Sequence, residues 1–272
     1  MIYLNNELLE FKQFNDGSCR ANIEVRQYSP QTIKWLYDSE IEFMYLFYLT
    51  NHLRANGIKD IVLDVPYLCG ARMDRTKRSS EVFTLKYACD FINALNFYRI
   101  YIYDPHSYVT PALLNNVTIE NPSEEIAYLL KKYPSALMFY PDEGSMKRLH
   151  SYFEVPYAFG CKERNWETQK VESLHIMGAK HMIAGHDIIM CDDILSRGST
   201  AYMAAKQLKD LGANNIYMWV SHCENTVLGP HLNGQSLLDI PNLITKVYTT
   251  NSIFRANHPK IEVIKRFIYD YN

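Results

Sequence analysis

Short apolar runs alternate along this chain with longer segments whose apolar residues return every three or four positions. Runs such as Ile61–Val65, Arg99–Tyr103 and Ile188–Cys191 are too short for helices and rich in β-branched residues, so they read as strands. The same reading gives strands at Ser18–Arg26, Thr32–Tyr37, Ala136–Tyr140, Val155–Gly160, Asn215–Val220, Leu243–Tyr248 and Ile261–Phe267. Helical spacing marks "DSEIEFMYLFYLTNHLRANG", with Ser39 as N-cap and Gly57 as stop, and then Thr84–Leu95 and Ser123–Lys132. It returns at Thr200–Leu211, closed by Gly212.

Strands that alternate with helices predict an α/β protein with mainly parallel sheets flanked by helices on both faces. Two units meeting near Lys132–Pro134 fit better than one barrel, which needs a more regular eightfold repeat. The expected division is 1–133 and 134–255, with 256–272 as a candidate to complete the first unit. The chain has 272 residues, 47% of them hydrophobic, which is ample for two cores.

A formal net charge of −2 leaves no electrostatic footprint for nucleic acid. Six scattered cysteines without a C-x-x-C pair read as reduced thiols, hence a cytoplasmic protein. The first residues lack a basic stretch and a long apolar run, so no signal peptide is expected. No apolar run approaches membrane-spanning length, and no membrane partner is expected.

Ligands of open parallel sheets bind beyond the carboxyl ends of the strands. Here nearly every such end is charged or carries histidine: "PYLCGARMDR", "DPHS", "PDEGS", "CKERN", "DDILSRGST" and "SHCEN". In the fifth, Ser196, Arg197, Gly198, Ser199 and Thr200 precede a helix, so backbone N–H groups and the helix dipole converge where a phosphate can sit. Asp192 and Asp193 stand just before that turn. They can accept hydrogen bonds from ribose hydroxyls or hold Mg²⁺. Each piece has a plainer reading when taken alone. The loop could be an ordinary strand–turn–helix, His106 a satisfied histidine at a helix start, "KERNWETQK" a solvated loop, and Arg72–Arg78 an exposed helix start. Their shared address at strand ends is what raises them.

"IIMCDDILSRGST" resembles the phosphoribosyl-pyrophosphate loop of phosphoribosyltransferases and of ribose-phosphate pyrophosphokinases. The other segments resemble the pyrophosphokinases in particular. "FNDGS" is similar to their adenine-pocket segment, which implies that Phe14 and Asp16 contact ATP. "VPYLCGARMDRTKR" resembles a segment that reaches ATP, pointing to Arg72, Asp74 and Arg78. "YDPHS" resembles the segment of a histidine that contacts metal and ATP, here His106. "YPDEG" implies a metal and ribose position at Asp142. "CKER" resembles the start of the mobile catalytic loop and implies that Lys162 and Arg164 are catalytic. "VSHCENTVLG" resembles the segment that follows. These matches run in order from about Phe14 to Thr250.

The resemblance implies two phosphoribosyltransferase-like domains, ATP as co-substrate, Mg²⁺, a ribose-phosphate acceptor, and a homo-oligomer whose ATP site is shared between subunits. It implies transfer of diphosphate from ATP to the ribose 1-hydroxyl with release of AMP. The residues suit that chemistry, because charge grows on phosphoryl oxygens and positioned cations stabilise it. The alternatives are a phosphoribosyltransferase, for which one half would suffice, and a non-catalytic regulatory homologue. Where the family loop has Asp-Thr-Gly-Gly-Thr, this chain has Ser196-Arg197-Gly198-Ser199-Thr200. The exchange of an acid for serine and the arrival of Arg197 favour ADP-ribose over ribose 5-phosphate as acceptor. Phage-type relatives that pyrophosphorylate ADP-ribose make that option concrete. Ser18 also replaces an acid of the adenine pocket, and Met73 a glutamine.

Overall fold

The computed structural model describes residues 1–164, 171–230 and 234–267. The chain separates into two compact units: residues 1–121 with Phe267, and Pro122–Arg266.

In the first unit a six-stranded sheet runs in the order β2-β1-β5-β6-β7-β8. Its strands are β1 (Ile2–Leu4), β2 (Glu7–Leu8), β5 (Gln31–Trp35), β6 (Ile61–Val65), β7 (Arg99–Tyr103) and β8 (Val117–Glu120). The pairs among β5 to β8 are parallel, and β1 and β2 are antiparallel additions at one edge. Asn5 and Asn6 make the β1–β2 turn, both at positive φ (51° and 70°). Asparagine tolerates that region well, and it is the conformation a two-residue hairpin turn requires. A separate two-stranded hairpin joins β3 (Lys12–Gln13) to β4 (Cys19–Arg20), so the predicted strand Ser18–Arg26 shrinks to two residues.

Helices α1 (Glu42–Ala55) and α2 (Thr84–Ala94) cover one face through Leu46, Leu49 and Leu53 and through Leu85, Cys89 and Ile92. They meet Ile33, Ile61, Leu63 and Ile100 of the strands. The alternate positions of β5 and β6 are only half-buried, and they include an ion pair between Lys34 and Asp64 at 3.9 Å. The second face of this sheet is therefore less covered than the expectation of two helical layers. A short helix, α3 (Val109–Leu113), follows β7.

The second unit holds a seven-stranded sheet in the order β11-β10-β9-β12-β13-β14-β15. The strands are β9 (Leu137–Tyr140), β10 (Tyr157–Arg164), β11 (Val171–Gly178), β12 (Ile188–Leu195), β13 (Ile216–Cys223), β14 (Lys246–Thr250) and β15 (Ile261–Ile264). Among the described residues of this sheet, only the β10–β11 pair is antiparallel. Here both faces are buried, and period-two alternation shows how. Leu137, Phe139, Ile188, Met190, Ile216 and Met218 enter one core, while Met138, Tyr140, Ile189, Cys191 and Trp219 enter the other. Helix α6 (Ser199–Asp210) packs on the first face with Ala201, Ala204, Ala205 and Leu208, the spacing of a helical stripe. Helices α4 (Ser123–Lys132) and α5 (Glu143–Leu149) pack on the second through Ile126, Leu129 and Leu149. Among the described residues no helix is long and apolar enough to cross a membrane.

Candidate functional site

Strand β12 does not stop at Cys191 as the apolar run suggests. It continues to Leu195, with Asp192 paired to Val220 and Ile194 to His222 in the ladder with β13. Asp192 and Asp193 are therefore strand residues, and Asp193 is buried. A strand this deep in a sheet normally excludes carboxylates, because a buried charge is costly unless it is paired. The partner is Arg148, near the end of α5. Its Nη2 lies 2.9 Å from Asp193 Oδ1 and 3.9 Å from Asp192 Oδ1. The Asp193 amide donates to Asp192 Oδ1 at 3.0 Å. Burial, and after it the neighbouring carboxylates of Asp193 and Asp142, hold the Asp192 carboxyl well above its usual range, with Arg148 pulling the other way.

The turn after β12 is set from both sides. Ser196 Oγ donates to Glu224 Oε2 at 2.7 Å, and Thr226 Oγ1 donates to the same oxygen at 2.9 Å. The Glu224 amide donates to the Leu195 carbonyl at 2.8 Å, so the turn after β13 braces the turn after β12. Gly198 adopts the left-handed conformation (φ 85°), and a Cβ there would stand 2.7 Å from Leu237 Cδ2. Glycine is required for both reasons. Gly198 is the N-cap of α6 and supplies no side-chain cap, and the positive end of the helix dipole lies at this turn. Arg197 is exposed beside it. The helix begins at Ser199, one residue earlier than expected.

Asp142 closes the end of β9 as the N-cap of α5. Its Oδ1 accepts from the Ser145 amide at 3.0 Å and from Ser145 Oγ at 3.2 Å. Lys162 and Arg164 fall in β10, where Lys162 is paired with Leu174 of β11. The backbone of these two residues is antiparallel ribbon, and the rest of the charged stretch, 165–170, lies outside the described residues. The side chains of Lys162 and Arg164 lie outside the described residues. His222 is buried and bonded to Ser252 Oγ at 2.9 Å, which fits a structural role.

In the first unit the segment after β6 is irregular from Pro66 to Phe83 rather than a helix start. Arg72 and Arg78 are exposed on it, and Asp74 is buried. Arg75 donates to Asp74 from Nε at 2.8 Å and from Nη2 at 3.2 Å. Burial pushes the Asp74 carboxyl up, but hydrogen bonds from Arg75 and Ser107 and the positive field of Arg75 and His106 outweigh it and hold it below the usual range. Asp74 is thus held by Arg75 and by Ser107, the residue that follows His106. Asp104, two residues before His106, is buried at φ 39°, a conformation that costs energy and clusters at functional sites. Phe14 and Asp16 sit apart on the β3–β4 hairpin, both exposed. Asp16 Oδ1 accepts from the Ser18 hydroxyl at 2.6 Å and from its amide at 2.9 Å, which holds its carboxyl below the usual range. Arg20 lies over the Phe14 ring, 5.7 Å from its centroid.

Sequence reasoning missed Arg148, Glu224, Thr226, Arg75 and Ser107. Glu224 lay inside a quoted strand end, and its acid so close to the loop was a usable signal. Arg148 had none, because only the fold carries the end of α5 to β12. Among the described residues no three His, Cys, Asp or Glu side chains are grouped to hold a metal.

No family model matches the chain. Curated relatives do. It is 25% identical over 271 residues to the ribose-phosphate pyrophosphokinase of Pyrococcus abyssi, covering 97% of this chain and 88% of the relative. It is 25% identical over 222 residues to that of Pyrococcus furiosus, covering 79% and 77%. The Bacillus subtilis enzyme is 27% identical over 265 residues, covering 93% and 80%. The crystal structure of phosphoribosylpyrophosphate synthetase from Mycobacterium smegmatis shares the fold with a TM-score of 0.76 at 19% identity, covering 94% of this chain and 85% of that one. The chain is thus similar, over nearly its whole length, to proteins named ribose-phosphate pyrophosphokinase, and it shares the fold of a phosphoribosylpyrophosphate synthetase.

Proposed function

We propose that this chain transfers diphosphate from ATP to the 1-hydroxyl of a 5-substituted ribose. The observation that carries the reading is the paired carboxylates Asp192 and Asp193 near the end of β12, followed after a short turn by the Gly198-capped helix α6. Carboxylates to receive sugar hydroxyls and amides to receive a phosphate stand there a few residues apart on one strand end. The 1-hydroxyl oxygen attacks the β-phosphorus, the bond from that phosphorus to the bridging oxygen of AMP breaks, and the hydroxyl proton is lost. Lys162 and Arg164 are assigned to the charge that grows on the transferring group. The first unit is assigned to ATP through Phe14, Asp16, Arg72, Asp74, Arg78 and His106.

His106 in the first unit and Asp142 in the second are each a candidate to hold Mg²⁺, which would neutralise phosphate charge where it is bound.

Ribose 5-phosphate is the acceptor favoured by the curated relatives' name. ADP-ribose is the second reading, supported by the exposed Arg197 guanidinium, whose fork matches phosphate oxygens. The acid missing from the loop counts less for ADP-ribose than the sequence alone implied, because Glu224 brings a carboxylate to Ser196. The test is product analysis with ATP, Mg²⁺ and each ribose. AMP is expected, and ADP as the sole nucleotide product would overturn the reading.

The exposed Phe14 and Asp16, on a hairpin of their own, support an ATP site completed by a second copy of the chain. Two inactive variants, Phe14→Ala with Asp16→Asn and Arg72→Ala, should regain activity when mixed, since some sites then combine intact halves. A mixture as inactive as its parts would assign the whole site to one chain.

A further inference from the structure

Adjacent strand residues normally direct their side chains to opposite faces of a sheet. Asp192 and Asp193 nevertheless both lie within reach of one guanidinium, that of Arg148, whose side chain is 9% exposed. Arg148 is not at a strand end but near the end of α5. It sits beside Leu149, the next residue, which packs into the second core of the sheet. The start of the same short helix is capped by Asp142, so one rigid turn and a half connects a candidate metal and ribose position to the residue that holds the acceptor carboxylates.

Resting on the function proposed above, we propose that Arg148 is a positioning residue for the acceptor. It fixes the Asp192–Asp193 pair in the arrangement that receives ribose hydroxyls, and acts through those carboxylates rather than on the substrate. Three observations carry this. The charged hydrogen bond at 2.9 Å is of the strong class and directional. The Asp193 amide bond to Asp192 Oδ1 passes the constraint from one carboxylate to its neighbour. Near-complete burial of Arg148 keeps water from replacing it. An arginine is suited to the task because it stays charged when buried and its planar fork fixes direction as well as distance.

The test compares Arg148→Gln and Arg148→Lys with the parent for thermal midpoint, kcat and separate KM values for ATP and acceptor. Both variants should fold with a lowered midpoint. The acceptor KM should rise about tenfold or more in the glutamine variant, the scale of one charged hydrogen bond, and less in the lysine variant, while the ATP KM stays within about twofold. A merely structural role would move both KM values together or neither, and either result overturns the proposal. Failure of both variants to fold also overturns it, since Arg148 would then be a core ion pair first. Calorimetric titration with ribose 5-phosphate keeps this separate from the reaction itself. A parent that binds the sugar phosphate but releases no AMP fails the functional reading, and loss of that binding in Arg148→Gln still supports positioning.

Discussion

Replacing Lys162 with alanine should lower kcat on the order of a hundredfold while the KM for the acceptor changes little. That is the scale for removing one electrostatic contact to a transition state. The expectation follows from where the charge develops. Diphosphate transfer through a loose transition state spreads negative charge over the oxygens of the β-phosphoryl group, and a cation placed there acts on the transition state more than on either ground state. The backbone around Lys162 is suited to hold such a cation, since β10 is paired on one side with β9 at Tyr157–Phe159 and on the other with β11 as far as Arg164. Steady-state kinetics with saturating ATP decide the matter. Near-normal turnover in Lys162→Ala would remove Lys162 from the chemistry.

The second large effect concerns the acceptor. Arg197→Thr should lower kcat/KM for ADP-ribose relative to ribose 5-phosphate by about tenfold, because a forked contact to a diphosphate bridge is lost while the amides of α6 still hold a single phosphate. Restoring an acid at the neighbouring position is less simple. Ser196→Asp alone would face the Glu224 carboxylate across the 2.7 Å now spanned by a hydrogen bond. Like charges at that separation repel, so Ser196→Asp should lower the thermal midpoint unless Glu224→Gln accompanies it. The triple variant Ser196→Asp, Arg197→Thr and Glu224→Gln is therefore the fair comparison, and it should favour ribose 5-phosphate most. A ratio of kcat/KM values that stays constant across parent, single and triple variants would sink the role of Arg197 in acceptor choice.

The second unit was the more legible because its strands are buried on both faces. "IIMC" and "LMFY" have no polar residue to misplace, and α6 shows its alanine stripe at helical spacing. The first unit kept its parallel strands legible through "IVLDV" and "RIYIY". The same stretches show Asp64 and Tyr101 at alternate positions, the sign of a face less completely covered. Short elements escaped. The β1–β2 hairpin announces itself only through Asn5–Asn6, and β11 pairs with β10 across a segment whose composition looks solvated. In the site, residues that act from strand ends could be read in advance, because the fold class assigns that address. Arg148 and the Ser196–Glu224 contact could not, because each joins residues far apart in sequence through packing (45 and 28 positions, respectively).

The close approach of Gly198 to Leu237 ties the history of the phosphate loop to that of the core. Leu237 is fully buried, so it cannot move aside for a methyl group at residue 198, and a smaller residue at 237 would leave a void behind the loop. Because the left-handed backbone holds glycine at 198 whatever stands at 237, descendants of this sequence should keep Gly198 even where residue 237 changes. The pair marks a place where drift in the interior reaches the turn before α6 without any substitution in that turn.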